Sequence, residues 1–111
     1  MGNPIGFAAD GYLIDGQMIQ VGQMTFKVLH TPGHSPGGIC LAGEEICLCG
    51  DTLFHGSVGR SDFPGGNYEL LEASIQNKLY QLDDETLALP GHGPATTIGE
   101  EKRTNPYVRA K

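Results

Sequence analysis

Apolar residues in this chain come in short runs separated by glycine-rich segments. Residues 18–22 (MIQVG) and 24–30 (MTFKVLH) predict two short strands joined at Gly22-Gln23. In the second, Phe26 and Val28 share one face while Thr25, Lys27 and Leu29 share the other. Residues 38–42 and 45–49 are apolar runs on either side of Gly43-Glu44, and glycine at the first central position suits a type II′ hairpin turn. A helix is predicted over 67–82. Asn67 caps it, Glu69 and Glu72 occupy its first turn, and Leu71, Ile75, Leu79 and Leu82 form one apolar stripe. The acidic run Asp83-Asp84-Glu85 turns the chain into a short strand, Thr86–Leu89. A last helix begins near Thr97, which with Glu100 fits a capping box, and stops before Asn105-Pro106.

Strand direction follows from this order. The run ending at His30 goes one way, 38–42 returns, and 45–49 goes forward again. A helical crossover normally joins parallel strands, so Leu87–Leu89 should run parallel to 45–49. Three forward strands then end in three loops at one edge of a mixed sheet, and those loops carry His34, Asp51 and His92. The expected fold class is therefore α/β, with two helices on a mixed sheet and a ligand site outside the carboxyl ends of its strands.

The 111 residues form one domain or a piece of one, with no internal repeat and no linker-like stretch. Seven Lys and Arg against thirteen Asp and Glu give a net charge of −6, which argues against nucleic acid or an anionic membrane as a partner. No apolar run approaches the ~18 residues of a spanning helix. The first ten residues show no secretory pattern, and Gly6 stands where myristoylation prefers Ser or Thr, so a cytoplasmic location is expected. Cys40, Cys47 and Cys49 have no zinc-finger spacing. The predicted hairpin puts Cys40 roughly opposite Cys47, but buried reduced thiols are the expected state.

The 17 glycines cluster in TPGHSPGG (31–38), GSVGRSDFPGG (56–66) and PGHGP (90–94), the loops in which a scaffold of short strands carries its function. His34 and His92 both lie in Pro-Gly-His loops, and Asp51 directly follows a buried strand. Histidine and carboxylate are ligands for zinc, iron or manganese. Taken singly, each has an ordinary structural alternative: a hydrogen-bonded loop histidine, or an aspartate capping a turn. All three at one sheet edge raise the metal-site reading to equal standing. His30 is expected to order its loop, and His55 is left open. Arg60 and Lys102 are candidates to receive an anionic substrate, with solvated surface charge as the alternative.

Three segments, HTPGHSPGG (30–38), GDTLFHGSVGRSDFPGG (50–66) and LPGHGPATTIGEEKRTNP (89–106), resemble the metallo-β-lactamase superfamily, and most closely its hydroxyacylglutathione hydrolase (glyoxalase II) branch. The resemblance runs in order from about residue 13 to the C-terminus. It implies that His34 completes the three-histidine site of a first metal, that Asp51 bridges two metals, and that His92 binds the second. It also implies two zinc ions, with iron or manganese as alternatives, and a role for Arg60 in holding a glutathione moiety. Zinc β-lactamases of the commonest kind carry cysteine in place of Asp51, which argues against lactam hydrolysis.

The family's H-x-H-x-D-H segment supplies the remaining ligands, and no histidine precedes His30 here. Residues 1–111 are thus expected to form a single partial domain lacking the N-terminal half, about half of an αββα sandwich with one sheet face open. That face calls for the missing half or a second copy of the chain to cover it. The parent function expected is hydrolysis of a thioester such as S-2-hydroxyacylglutathione by a metal-bridging hydroxide. The chain alone is expected to be inactive, since its three ligands complete neither metal's set. Two alternatives stand beside this reading. One is a mono-iron persulfide dioxygenase, whose GR-[ST]-D-F segment is matched by Gly59–Phe63. The other is a non-catalytic truncated domain that self-associates.

Overall fold

A computed structural model describes residues 14–62 and 64–110. The N-terminal readings on residues 1–10 and the Phe63 end of the GR-[ST]-D-F match lie outside them. Eight strands and two helices follow in the order β1 (Met18–Val21), β2 (Met24–His30), β3 (Ile39–Ala42), β4 (Ile46–Gly50), β5 (Leu53–Phe54), β6 (Ser57–Val58), α1 (Tyr68–Asn77), β7 (Leu87–Pro90), β8 (Thr96–Thr97) and α2 (Ile98–Thr104). The main sheet has the order β1-β2-β3-β4-β7-β8, and β5 with β6 makes a separate small hairpin. The β4–β7 pair is parallel and the other pairs are antiparallel, as the crossover argument requires.

Side-chain alternation divides the sheet into two faces. Leu29, Cys40, Cys47, Cys49 and Ala88 point into a core with Leu71 and Ile75 of α1, Leu79, Tyr80, Ile98 and Val108. On the opposite face Ile39, Leu41, Ile46, Leu48 and Leu89 are partly exposed, while Phe26 and Val28 are buried. Burial of the three leading stripe residues, Leu71, Ile75 and Leu79, contributes roughly 1.5–3 kcal/mol each. Asn67 caps α1 by accepting a hydrogen bond from the Leu70 amide at 3.0 Å, and Thr97 caps α2 from the Glu100 amide at 3.2 Å. Glu100 does not close a capping box; its carboxylate accepts from the Thr104 hydroxyl instead.

Three expectations require correction. The helix predicted over 67–82 ends at Asn77 and continues as a 3-10 turn, Leu79–Gln81. Tyr80 is drawn inward there, donating to the carbonyls of Val108 at 2.6 Å and Glu101 at 3.1 Å. The β3–β4 turn centres on Glu44-Glu45, because Gly43 itself pairs with Ile46 (amide to carbonyl, 2.7 Å). Glycine is needed at 43 for room: a Cβ there would stand 3.0 Å from the Phe26 ring. The register consequently sets Cys47 opposite Ala42 and not Cys40. All three thiols are free and buried, as expected. Among the described residues no helix is long and apolar enough to cross a membrane.

Gly33 locks the His34 loop to α1. Its φ of 137° is a region that L side chains rarely adopt, and an added Cβ would fall 2.3 Å from the Leu71 Cα. Gly33→Ala should therefore lower unfolding free energy by about 3 kcal/mol or more in urea titrations, combining backbone strain with overlap. Gly22→Ala, at φ 63° in open space, is the control and should cost about 1 kcal/mol. Equal losses for the two would contradict the tight loop–helix contact.

Candidate metal centre

The three Pro-Gly-rich loops meet at the carboxyl ends of β2, β4 and β7, and backbone contacts tie them together. The Thr31 and Thr52 hydroxyls, one at the root of each of the first two loops, share a buried hydrogen bond of 3.2 Å. The Gly91 amide donates to the Gly50 carbonyl at 2.8 Å, joining the second loop to the third. The Asn67 amide donates to the Gly33 carbonyl at 2.7 Å and the Ser74 hydroxyl to the Pro32 carbonyl at 2.8 Å, so α1 holds the first loop from behind. Glycine is required at the centre of this junction. A Cβ on Gly59 would lie within 2 Å of the Asp51 carbonyl oxygen, and one on Gly91 would stand 3.4 Å from the Asp51 carboxylate.

The result brings His34, Asp51 and His92 to one place. Asp51 Oδ2 lies 3.8 Å from His34 Nε2, and its other oxygen, Oδ1, lies 3.8 Å from His92 Nδ1. Both separations are too long for hydrogen bonds. His34 Nδ1 is 2.8 Å from the Arg60 carbonyl oxygen, which can only accept, so that nitrogen carries the proton. Its Nε2 lone pair consequently faces a carboxylate oxygen, an arrangement that gains stability when a cation stands between them. Two donors each about 2.1 Å from one ion can be up to about 4.2 Å apart, so both His–Asp pairs have a spacing that fits. Among the described residues no three His, Cys, Asp or Glu side chains close around a single point. Asp51 instead stands between the two imidazoles, one carboxylate oxygen toward each.

A cleft of about 490 Å³ opens over these residues and is walled by Phe54, His55, Ser57, Val58, Gly59, Arg60, Gly93 and Pro94. The Phe54 ring packs against His92 with centroids 4.8 Å apart and restrains an imidazole that is otherwise 79% exposed. Arg60 lines this cleft, and its side chain is paired through Nε with Asp62 at 3.1 Å. Lys102 does not line it. Its ammonium binds Asp84 at 2.8 Å away from the cleft, and that hydrogen bond holds the Asp84 carboxyl below its ordinary range. His30 orders its own loop, as expected, through Nε2 and the Pro36 carbonyl at 2.9 Å. Sequence reasoning missed Phe54 and the β5–β6 hairpin. The one available signal was an apolar pair, Leu53-Phe54, placed inside a glycine-rich loop.

Comparison with known proteins shows the family and the fold. Residues 8–92 match the family model of the metallo-beta-lactamase superfamily. The hydroxyacylglutathione hydrolase GloC of Haemophilus influenzae is 44% identical over 99 residues, covering 87% of this chain and 47% of that protein. The crystal structure of the BLEG-1 B3 metallo-beta-lactamase superposes with a TM-score of 0.84 at 45% identity, over 90% of this chain and 49% of that one. The structure of TTHA1623 in a di-iron-bound form superposes with a TM-score of 0.76 at 46% identity, over 86% and 47% of the two chains. The chain therefore spans about half the length of these relatives. By sequence and by fold, it belongs to the metallo-beta-lactamase superfamily.

Proposed function

We propose that this chain supplies the His34–Asp51–His92 portion of a dinuclear, metal-dependent thioester hydrolase, with a substrate of the S-2-hydroxyacylglutathione type. The observation that carries the proposal is the division of Asp51, one oxygen toward each histidine at 3.8 Å. His34 would contribute to one ion, His92 to the other, and Asp51 to both. A pair of ions so held lowers the pKa of water and polarises a carbonyl group. The Arg60 carbonyl fixes the His34 tautomer, and Phe54 fixes the His92 ring. Arg60 at the cleft wall offers a cation to an anionic thiol portion. The substrate class is supported by the name of the Haemophilus relative, and zinc is the proposed metal. A cytoplasmic location fits the acidic composition. The open sheet face is proposed to pack against the rest of a longer domain.

Under this reading the 111-residue chain alone releases no thiol from lactoylglutathione. A chimera in which residues 14–110 replace the corresponding half of the Haemophilus relative should release thiol in a colorimetric assay. Failure to do so while correctly folded and metal-loaded would reject the thioester assignment. Oxygen consumption with glutathione persulfide would support the dioxygenase alternative, and turnover of a chromogenic β-lactam would favour the activity named for the BLEG-1 neighbour.

In the active chimera Asp51→Asn should lower kcat/KM by about 10³-fold or more, because the variant loses an anionic bridge at both ions. Phe54→Ala should have a smaller effect, about tenfold in metal affinity, since it releases the His92 ring without removing a ligand. A loss of about tenfold or less in kcat/KM for Asp51→Asn would show that Asp51 is a structural residue and not a bridge.

A further inference from the structure

One imidazole in the cleft has no assigned task. His55 sits at the tip of the β5–β6 hairpin, is exposed, and lines the cleft together with Asp51 and Arg60. Among the described residues no hydrogen bond, ion pair or ring contact engages its side chain, and it forms no ligand group with His34, Asp51 and His92. A histidine that only stabilised this turn would bond to it, as His30 bonds to its own loop.

The turn beneath His55 is nonetheless firmly held. The neighbouring Gly56 amide donates at 3.0 Å to Oε1 of Glu101, a carboxylate with no exposed surface. Asn105 Nδ2 donates to the same Oε1 at 2.9 Å, and the Thr96 hydroxyl donates to Oε2 at 2.6 Å. Asn105 Nδ2 also reaches the Ser57 carbonyl at 3.1 Å. Burying a carboxylate without a cation is costly, and here three neutral donors offset the cost. What the network secures is the position of the hairpin tip, and so of His55. Asp51 is the single acidic residue lining the cleft, against His55, Arg60 and the two candidate metal ligands His34 and His92. An imidazole N–H at this wall is a donor that an anion can accept from.

We propose that His55 is a substrate-binding residue, its imidazole N–H donating to a carboxylate of a small carboxylate-bearing thiol compound, with the Glu101 network positioning it. The inference deepens the thioester reading and rests on it. The test uses the 111-residue chain and glutathione, a thiol with two carboxylates, followed by NMR of the histidine rings. Saturable shifts of the His55 ring are expected, with binding weakened about tenfold in His55→Ala, the loss of one hydrogen bond to a charged group. His55→Gln, which keeps an N–H donor, should recover most of the affinity. His55 is an exposed turn residue, so neither variant disturbs folding, and unchanged amide spectra verify this. Wild-type binding that His55→Ala leaves unchanged would overturn the role of His55 while the thioester reading stands. Absence of any wild-type binding would overturn the role of His55, whereas the thioester reading stands or falls with thiol release by the chimera.

Discussion

Parallel pairing of β4 with β7 is the constraint on which the candidate site depends. The segment between them must travel the length of the sheet, and α1 does so with a buried face of Leu71 and Ile75. Because β7 then runs with β4 and β2, their carboxyl ends share one edge, and His34, Asp51 and His92 follow those ends. Were β7 antiparallel to β4, His92 would lie at the opposite edge, about 15 Å away for a strand of this length. The Gly50–Gly91 hydrogen bond and the Thr31–Thr52 hydroxyl pair refine what strand direction begins.

Close approach is the second requirement. Loops that bring two imidazoles to either side of one carboxylate must nearly touch, and this edge meets that need with glycine. Gly59 lies against the Asp51 carbonyl, Gly33 against the backbone of α1, and Gly91 beside the Asp51 carboxylate. Beyond this layer a buried carboxylate, Glu101, gathers β8, α2 and the β5–β6 turn through uncharged donors. Hydrogen bonds thus tie down both the floor and the wall of the cleft, although the side chains of His34, Asp51 and His92 stay accessible. Such pre-organisation is what a metal-dependent reaction asks of its protein ligands.

The strands, helices and shared edge were legible in the sequence because each depended on a strong periodic signal or on connection order. The alternation in β2, the Leu71–Ile75–Leu79 stripe and the Asn67 cap all act locally. What escaped depends on tertiary contact. The β3–β4 register shifts because the Gly43 amide pairs with the Ile46 carbonyl, a cross-strand contact. The first helix ends early because Tyr80 finds two carbonyls from the C-terminal segment. Glu101 carries no local signal of burial, which follows from donors that lie 5 and 45 residues away in sequence. Lys102, adjacent to it, was read as a substrate candidate from charge alone, and its place beside Asp84 is set by the packing of α2.

Zinc titration of the 111-residue chain, read from the side-chain nitrogen resonances of its four histidines, reveals whether Asp51 couples His34 to His92. If Asp51 bridges two half-sites, the His34 and His92 rings shift together with added zinc, His30 stays unmoved, and Asp51→Asn abolishes both responses. Rings of His34 and His92 that ignore zinc, or that respond independently of Asp51, would contradict the account.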